Sequence, residues 1–225
     1  MPRTAPRATS RSRTVFRWLA LGDSYTIGEG VPEHARWPLQ VVAALRAHGI
    51  AFAEPRLVAT TGWTTDELAA AMDAAGLAPP GDAAAPERFD VVSLLIGVNN
   101  QYRGRDVDDY RREFTGLLRR AIALAGDRAA RVLVLAIPDW GVTPFGQRSG
   151  RDTAGIAREL DAFNAAAAAI CAAHGVAFVD IAPVSRMHGA ACVADDGLHP
   201  SADLHAAWVA EAEDVARRAL GSADG

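Results

Sequence analysis

The sequence predicts an α/β fold in which helices cover both faces of an open, five-stranded parallel sheet. Two observations lead to this class. Short, continuous apolar runs rich in Val, Leu and Ile recur along the chain, and such runs are typical of strands that are buried on both faces. Segments with helical periodicity lie between them, and this alternation favours parallel βαβ units.

Ten elements are predicted from these patterns. In chain order they are a strand at 15–21, a helix at 38–48, a strand at 56–59, a helix at 65–75, a strand at 89–96, a helix at 106–125, a strand at 131–137, a helix at 153–174, a strand at 176–180 and a last helix at about 202–220. Gly49 and Gly175 directly follow two of the helices, where glycine commonly forms the C-terminal cap. Surface loops are predicted at 77–86 and 138–152, which are rich in glycine, proline and polar residues.

One domain is expected, because 225 residues suffice for a single core and no repeat or long linker divides the chain. We expect this domain to span residues 15–221. Residues 1–14 contain several arginines and no acidic residue, and they are interpreted as a disordered basic tail. The apolar stretch that follows is short and is interrupted by Arg17, which is unlike a signal peptide.

The composition of the chain excludes several classes of function. The net charge of −4 gives no electrostatic case for nucleic acid or an anionic membrane as a partner. All 23 basic residues are arginine, which excludes Schiff-base chemistry, a P-loop lysine and a Ser-Lys dyad. Cys171 and Cys192 are interpreted as free thiols in a reducing compartment, so a cytoplasmic location is predicted. No metal-ligand motif or membrane-spanning stretch is found, and we expect no cofactor.

Chemically capable residues cluster at one edge of the predicted sheet, beyond the carboxyl ends of the strands. Ligands bind at that edge in open parallel sheets. The residues that follow a strand or precede the last helix are Ser24, Gly62, Asn99, Asp139, Asp196 and His199. They are therefore expected to lie near one another on a single rim.

These residues supply the groups that acyl transfer requires. Ser24 is a candidate nucleophile, His199 a candidate base, and Asp196, three residues before it, a candidate for orienting the imidazole. The backbone N–H groups of Ser24 and Gly62, with the side-chain amide of Asn99, are candidates for an oxyanion hole. Each motif alone is also typical of a turn or a helix cap. Only their joint occurrence in this order favours a catalytic site.

The same motifs resemble those of the SGNH hydrolases, the GDSL-type esterase/lipase superfamily. The matching blocks are "LGDSYTIGEG", "ATTGWTTDEL", "IGVNNQYRG" and "DDGLHPS", and they extend over nearly the whole domain. The resemblance implies a three-layer α/β/α, flavodoxin-like fold. It also implies that Ser24 is the nucleophile, that Gly62 and Asn99 line the oxyanion hole, and that His199 and Asp196 complete the triad.

Two departures from the family pattern and several rival residues remain. Tyr25 replaces the leucine of the GDSL motif, which we expect to affect packing and not chemistry. Asn100 stands where many members have aspartate, and it is a weaker candidate for the oxyanion hole. Asp195 is a less favoured alternative to Asp196, and Asp23 is expected to cap the turn. His205 is expected to have a surface or packing role.

Aromatic residues near the rim are candidates for substrate contacts. Trp63 and Trp140 are the main ones, with Phe145 and Trp37 less favoured; closing the core is the alternative role. They would form an apolar wall for an acyl chain or a stacking surface for a sugar. The segment at 138–155 is the candidate lid.

The sequence therefore predicts a serine esterase that hydrolyses small carboxylic esters, with short-chain acyl or acetyl esters favoured. The alternatives are a lysophospholipase, thioesterase or acyltransferase that uses the same triad, and a non-catalytic ligand-binding module on the same scaffold. Nucleotide binding through Gly28-Glu29-Gly30 is disfavoured, because the motif is incomplete and Glu29 would repel phosphates. No stable membrane insertion is expected, and the oligomeric state is not predicted.

Overall fold

Five parallel strands form the central sheet, which we describe from a computed structural model over residues 15–77 and 87–221. The strands are β1 (Trp18–Gly22), β2 (Arg56–Ala59), β3 (Val91–Leu95), β4 (Val132–Leu135) and β5 (Ala177–Val179). Their order is β2-β1-β3-β4-β5, with Leu19 opposite Arg56 and Trp18 opposite Val91. Every residue of β1, β3 and β4 is buried, as continuous apolar strands require.

Nine α-helices and four short 3₁₀ turns surround the sheet in the described part of the chain. The helices are α1 (Ser24–Ile27), α2 (Trp37–Ala47), α3 (Thr65–Ala74), α4 (Val98–Tyr102), α5 (Val107–Leu124), α6 (Pro144–Arg148), α7 (Thr153–His174), α8 (Ala182–His188) and α9 (Ala202–Gly221). The 3₁₀ turns are Glu33–Ala35, Ala129–Arg131, Trp140–Val142 and Gly189–Cys192. Helices α2 and α9 pack together, and α5 packs between α3 and α7. The predicted three-layer α/β/α class with five parallel strands is confirmed.

Helix α5 shows how the sequence pattern places a helix on the sheet. Its buried residues form one stripe with the i, i+3, i+4 spacing of a helix face, namely Tyr110, Phe114, Leu117, Leu118, Ala121 and Leu124. The opposite face carries the ion pairs Arg111–Asp108 and Arg112–Asp109. Asp106 caps the first turn by accepting a hydrogen bond from the backbone N–H of Asp108.

The long helices agree with the predicted spans within about two residues, and β2 has its predicted bounds, whereas the other four strands are shorter than predicted. Helix α7 ends at Gly175, whose φ of 69° is the left-handed conformation expected of the cap. The strand predicted at 15–21 begins only at Trp18, because Phe16 makes an isolated bridge to Phe52 instead. Residues 1–14, predicted to form a tail, and most of the loop predicted at 77–86 lie outside the described residues.

The segment predicted as a surface loop at 138–152 is largely helical, which corrects that expectation. It contains the 3₁₀ turn Trp140–Val142 and helix α6, and Trp140 is only 2% exposed. Thr143 caps α6 by accepting from the N–H of Gly146, and Pro144 occupies its first position. Elements of three to five residues are too short to show a periodicity, so the polar and glycine content alone suggested a loop.

Cys171 and Cys192 are both free thiols; the first is buried within α7 and the second is half-buried. Over residues 15–77 and 87–221, no helix combines the length and the apolar character needed to cross a bilayer. The same residues contain no group of three or more His, Cys, Asp and Glu side chains that is arranged to hold a metal ion.

Candidate active site

A pocket of about 200 Å³ opens at the carboxyl end of the sheet and brings together residues from three adjacent strands. Ser24 follows β1, Gly62 follows β2, and Asn99 follows β3. His199 comes from the loop before α9. The remaining residues of the lining are Tyr25, Thr61, Val98, Tyr102, Trp140, Phe145 and Leu198. The strand order explains this convergence, because β1 lies between β2 and β3.

Ser24 is held at a sharp turn between β1 and the short helix α1. A Cβ on Gly22 would lie 2.5 Å from the carbonyl oxygen of Leu95, so the close strand–turn approach requires glycine there. Asp23 caps α1 by accepting the backbone N–H of Tyr25 at 3.0 Å. Ser24 is 5% exposed and lines the pocket. The turn therefore fixes the serine backbone at the base of the site.

Asp196 and His199 form a hydrogen-bonded pair within one short loop. The Nδ1 nitrogen of His199 lies 2.6 Å from Oδ2 of Asp196. The other carboxylate oxygen, Oδ1, accepts the backbone N–H groups of Leu198 and His199 at 2.8 and 2.9 Å. Partial burial acts to raise the pKa of Asp196, but the hydrogen bonds from His199 and from the two N–H groups outweigh it, so the pKa lies below its usual value.

This pairing has a direct chemical consequence for the imidazole. A carboxylate at Nδ1 keeps the proton on that nitrogen and leaves Nε2 free to act as a base. The edge of the Tyr25 ring also contacts the imidazole, with ring centroids 6.1 Å apart. The structure places Asp196, rather than the rival Asp195, against His199.

The loops that carry Gly62 and Asn99 are tied to each other. Gly62 has a φ of 88°, which favours glycine at this position. The side-chain Nδ2–H of Asn99 donates to the backbone carbonyl of Trp63 at 2.9 Å. The exposed side chain of Arg103 donates a hydrogen bond to the carbonyl of Gly62 at 2.6 Å. A second N–H on Nδ2 of Asn99 remains for a ligand, since an amide nitrogen carries two hydrogens.

Asn100, the weaker oxyanion candidate, lies outside the pocket lining and is 1% exposed. Its Oδ1 accepts the backbone N–H of Thr65 at 3.1 Å, and its Nδ2 donates to the Thr65 hydroxyl at 2.6 Å. Asn100 therefore fastens α4 to the first turn of α3. The two adjacent asparagines therefore differ in position: Asn99 lines the pocket, whereas Asn100 is buried between two helices.

An aromatic wall, formed by Tyr102, Trp140 and Phe145, closes one side of the pocket. The ring centroids of Tyr102 and Trp140 are 5.4 Å apart, and those of Trp140 and Phe145 are 6.0 Å apart. The backbone N–H of Phe145 donates to the carbonyl of Gly197 at 2.9 Å, which joins α6 to the loop that carries the Asp–His pair. Trp63, unlike Trp140, is not part of the pocket lining, and its backbone carbonyl accepts the side-chain amide of Asn99.

Two titratable groups near the site are fully buried, a depth that the sequence analysis did not indicate. Asp23 is fully buried, which raises its pKa to about 7, although the backbone N–H groups of Tyr25, Asp23 and Gly97 act in the opposite direction. Its Oδ2 has no hydrogen-bond partner among the described residues. Because Asp23 caps α1 beneath the pocket, its carboxyl is buried, and this burial costs free energy.

His205 is the second such group, and it lies on the buried face of α9. Burial, with a smaller contribution from His199, lowers its pKa to about 4, so it is neutral near pH 7. Its ring packs edge-on against Trp208 at 5.1 Å, and neither ring nitrogen has a hydrogen-bond partner in the described chain. The apolar spacing around it, which includes Leu204, Trp208 and Val209, was the signal that could have indicated burial.

Comparison with known proteins gives one family match and many structural relatives. A model of the GDSL-like lipase/acylhydrolase family matches residues 20–207. No curated protein matches the chain. The solved structure of TesA is 20% identical, with a TM-score of 0.69, and the alignment covers 91% of this chain and 99% of that one.

Two further solved structures are similar over nearly their whole length. A lipase/acylhydrolase from Enterococcus faecalis is 19% identical, with a TM-score of 0.68, and 92% of this chain and 97% of that one are covered. Axe2, an acetylxylan esterase from Geobacillus stearothermophilus, is also 19% identical, with a TM-score of 0.63 and coverage of 92% and 94%. At these identities the likeness establishes a common fold.

Proposed function

The chain belongs to the GDSL-like lipase/acylhydrolase family, and from that premise we propose that it is a serine esterase with a triad of Ser24, His199 and Asp196. The observation that carries the proposal is the 2.6 Å contact between Nδ1 of His199 and Asp196, made in the same pocket that Ser24 lines. A serine hydroxyl is a weak nucleophile unless a base removes its proton. The paired imidazole supplies that base.

The first half of the reaction forms an acyl-enzyme. Ser24 Oγ attacks the ester carbonyl carbon while His199 Nε2 takes the hydroxyl proton, and the carbonyl oxygen becomes an oxyanion. The backbone N–H groups of Ser24 and Gly62 and the free amide hydrogen of Asn99 are proposed to donate to this oxyanion. His199 then gives its proton to the leaving alcohol oxygen as the ester C–O bond breaks. Asp196 stabilises the imidazolium throughout.

The second half releases the acid and restores the serine. Water enters the position vacated by the alcohol, and His199 Nε2 takes one of its protons as the water oxygen attacks the acyl carbon. A second tetrahedral intermediate forms at the same oxyanion site. When it collapses, the bond from the acyl carbon to Ser24 Oγ breaks and His199 returns the proton to Oγ. No cofactor takes part in this scheme.

The size and the lining of the pocket favour short acyl chains, including acetyl. Its volume of about 200 Å³ is below the roughly 300–1,000 Å³ of sites that hold drug-sized ligands. Apolar side chains dominate the lining, notably Val98, Leu198 and the aromatic wall.

Two other expectations from the sequence remain proposals. We propose that residues 15–221 act as one domain, since a single sheet with both faces covered accounts for all the described elements. We also propose a cytoplasmic location. The free thiols of Cys171 and Cys192 are compatible with a reducing compartment.

Hydrolysis of p-nitrophenyl esters from acetate to octanoate tests the proposal. The wild-type protein is expected to hydrolyse the short esters with a burst of p-nitrophenol, and Ser24→Ala is expected to abolish this activity while keeping the fold. Ser149→Ala is the matched control, because Ser149 lies outside the pocket and its hydroxyl bonds only to nearby backbone, donating to the carbonyl of Gly146 and accepting the N–H of Arg151. Activity that survives in Ser24→Ala would overturn the assignment of the nucleophile. Release of free acid, rather than acyl transfer to an added alcohol or sugar, would distinguish an esterase from an acyltransferase.

A further inference from the structure

Behind the aromatic wall lies a polar cluster that the proposed mechanism does not use. Its central residue is Arg151, just before α7. The guanidinium carbon of Arg151 is 5.2 Å from the ring centroid of Trp140 and 5.7 Å from that of Tyr102. One guanidinium nitrogen also donates to the backbone carbonyl of Tyr102 at 3.2 Å. A single cation thus contacts two of the three aromatic rings that line the pocket.

Glu159, on α7, anchors this cluster from the other side. Its Oε2 accepts a hydrogen bond from Nε2 of Gln101 at 2.6 Å. The same oxygen lies 3.4 Å from a guanidinium nitrogen of Arg151. Oε1 of Gln101 in turn accepts the indole N–H of Trp140 at 2.9 Å. Trp140 is therefore held at its edge by Gln101 and on its face by Arg151, and both of these residues are bound to Glu159.

The arrangement does not fit an anion-binding site. The charge of Arg151 is already matched by Glu159, and its guanidinium group lies against aromatic rings, which attract cations. A planar guanidinium can stack on two rings and donate hydrogen bonds in its own plane at the same time, whereas a lysine ammonium cannot. The position of Arg151 is instead that of a brace, meaning a side chain that holds the rings of Tyr102 and Trp140 in place.

Tyr102 is the part of the wall that depends most on this brace. Its side chain is partly in solvent, and the residue is 49% exposed, whereas Trp140 is 2% exposed. Among the described residues, the Tyr102 ring makes an edge contact with Trp140 and a contact with the guanidinium group of Arg151. Loss of the cation would leave the ring free to turn toward solvent, which would lengthen the pocket on that side.

We propose that Arg151 is a specificity-determining residue: by holding Tyr102 and Trp140 in place, it limits the length of the acyl chain that the pocket accepts. The inference rests on the proposed esterase function. It concerns positioning, because Arg151 does not line the catalytic pocket itself. Because Tyr102 and Trp140 line the pocket, a change in the position of either ring changes which chain lengths fit.

Chain-length profiles of matched arginine variants test this inference. Arg151→Met keeps an unbranched apolar side chain of similar length but removes the cation. Arg158→Met is the control, because Arg158 is an exposed arginine on α7 that pairs with Asp152 and does not contact the aromatic wall in the described structure. We expect the ratio of kcat/KM for the octanoate ester to that for the acetate ester to rise at least fivefold in Arg151→Met and to stay within twofold of wild type in Arg158→Met. Glu159→Gln is expected to give a smaller rise, since it weakens the hold on Arg151.

Results that contradict the role of Arg151 can be distinguished from results that contradict the proposed esterase function. A ratio in Arg151→Met within twofold of wild type, or an equal fall for every ester, would overturn the inference and leave the proposed esterase function standing. A wild-type protein with no Ser24-dependent hydrolysis of any ester would overturn the proposed function, and this inference with it.

A second measurement examines the brace without relying on activity. The chain contains five tryptophans, so 5-fluorotryptophan labelling gives five ¹⁹F resonances, and Trp140→Phe identifies that of Trp140. We expect this resonance to shift or broaden in Arg151→Met and to remain unchanged in Arg158→Met. An unchanged Trp140 resonance in Arg151→Met would show that the arginine does not hold the wall.

Discussion

Asn99 donates its side-chain N–H to the backbone carbonyl of Trp63 at 2.9 Å, and this bond joins the turns that follow β3 and β2. The two turns carry two of the three groups proposed for the oxyanion hole. Because the bond fixes one hydrogen of the Asn99 amide, the direction of the other is also fixed. A preorganised donor of this kind costs little reorganisation when the oxyanion forms.

Asn99→Ala is therefore expected to lower kcat by about 10²–10³-fold while the protein stays folded. Steady-state kinetics on p-nitrophenyl acetate, with circular dichroism as the check on folding, measures the effect. The adjacent Asn100→Ala is the matched control. It removes the buried bonds to Thr65, so it is expected to lower the free energy of unfolding by about 1–3 kcal/mol and to change kcat less. Full activity in Asn99→Ala would remove this residue from the oxyanion hole.

Asp196→Asn is expected to lower kcat by about 10⁴-fold, because an amide at this position no longer holds the proton on Nδ1 of His199. Asp195→Asn serves as the comparison, since Asp195 is exposed and Asp196 alone of the two bonds to the imidazole in the described structure. Its kcat should remain close to the wild-type value. If Asp195→Asn is the more damaging of the two, the partner of His199 has been misassigned.

His205 should make the protein less stable in mild acid. Its pKa falls from 6.5 to about 4 on folding, so between those pH values the unfolded chain binds more protons than the folded one. The free energy of unfolding contributed by this group consequently rises with pH over that window. His205→Phe removes the effect, and urea unfolding should show a larger gain, or a smaller loss, in stability relative to wild type at pH 5 than at pH 7. An equal change at both pH values would contradict the buried, neutral histidine.

Asp23 should have the opposite dependence. Its pKa rises from 3.8 to about 7 on folding, so the folded protein binds more protons than the unfolded chain between about pH 4 and 7. Its contribution to the free energy of unfolding therefore falls as the pH rises through that window. Urea unfolding measures the free energy of unfolding of Asp23→Asn and of wild type. The value for the variant minus the value for wild type should be larger at pH 8 than at pH 5. A stability difference that does not depend on pH would show that Asp23 ionises normally.

Local patterns in the sequence were enough for the fold class and for the larger elements. Helix α7 was predicted with its observed bounds because a long helical segment ends in a glycine cap, Gly175. The three central strands β1, β3 and β4 were found because burial on both faces leaves uninterrupted apolar runs. The pairing of Asp196 with His199 was accessible for a similar reason, since the two residues lie three positions apart in one loop.

Contacts between distant segments could not be predicted in this way. The bond from Trp140 to Gln101 joins residues 39 positions apart, and the bond from Asn99 to Trp63 joins residues 36 apart. Their partners are chosen by the packing of the sheet and helices and not by any local spacing. The same holds for the depth at which Asp23 is buried, because its motif is equally typical of an exposed turn. Short helices such as α6 were missed, since five residues do not establish a period.

Covalent labelling of the active serine tests the central claim most directly. A fluorophosphonate reacts when a serine oxygen activated by a base attacks phosphorus and displaces fluoride, so intact-protein and peptide mass spectrometry report both the site and the rate. We expect a single adduct on Ser24, no adduct in Ser24→Ala, and labelling of His199→Ala that is slower by orders of magnitude. An adduct on a different residue, or equal labelling rates with and without His199, would contradict a nucleophile at Ser24 that is activated by the His199–Asp196 pair.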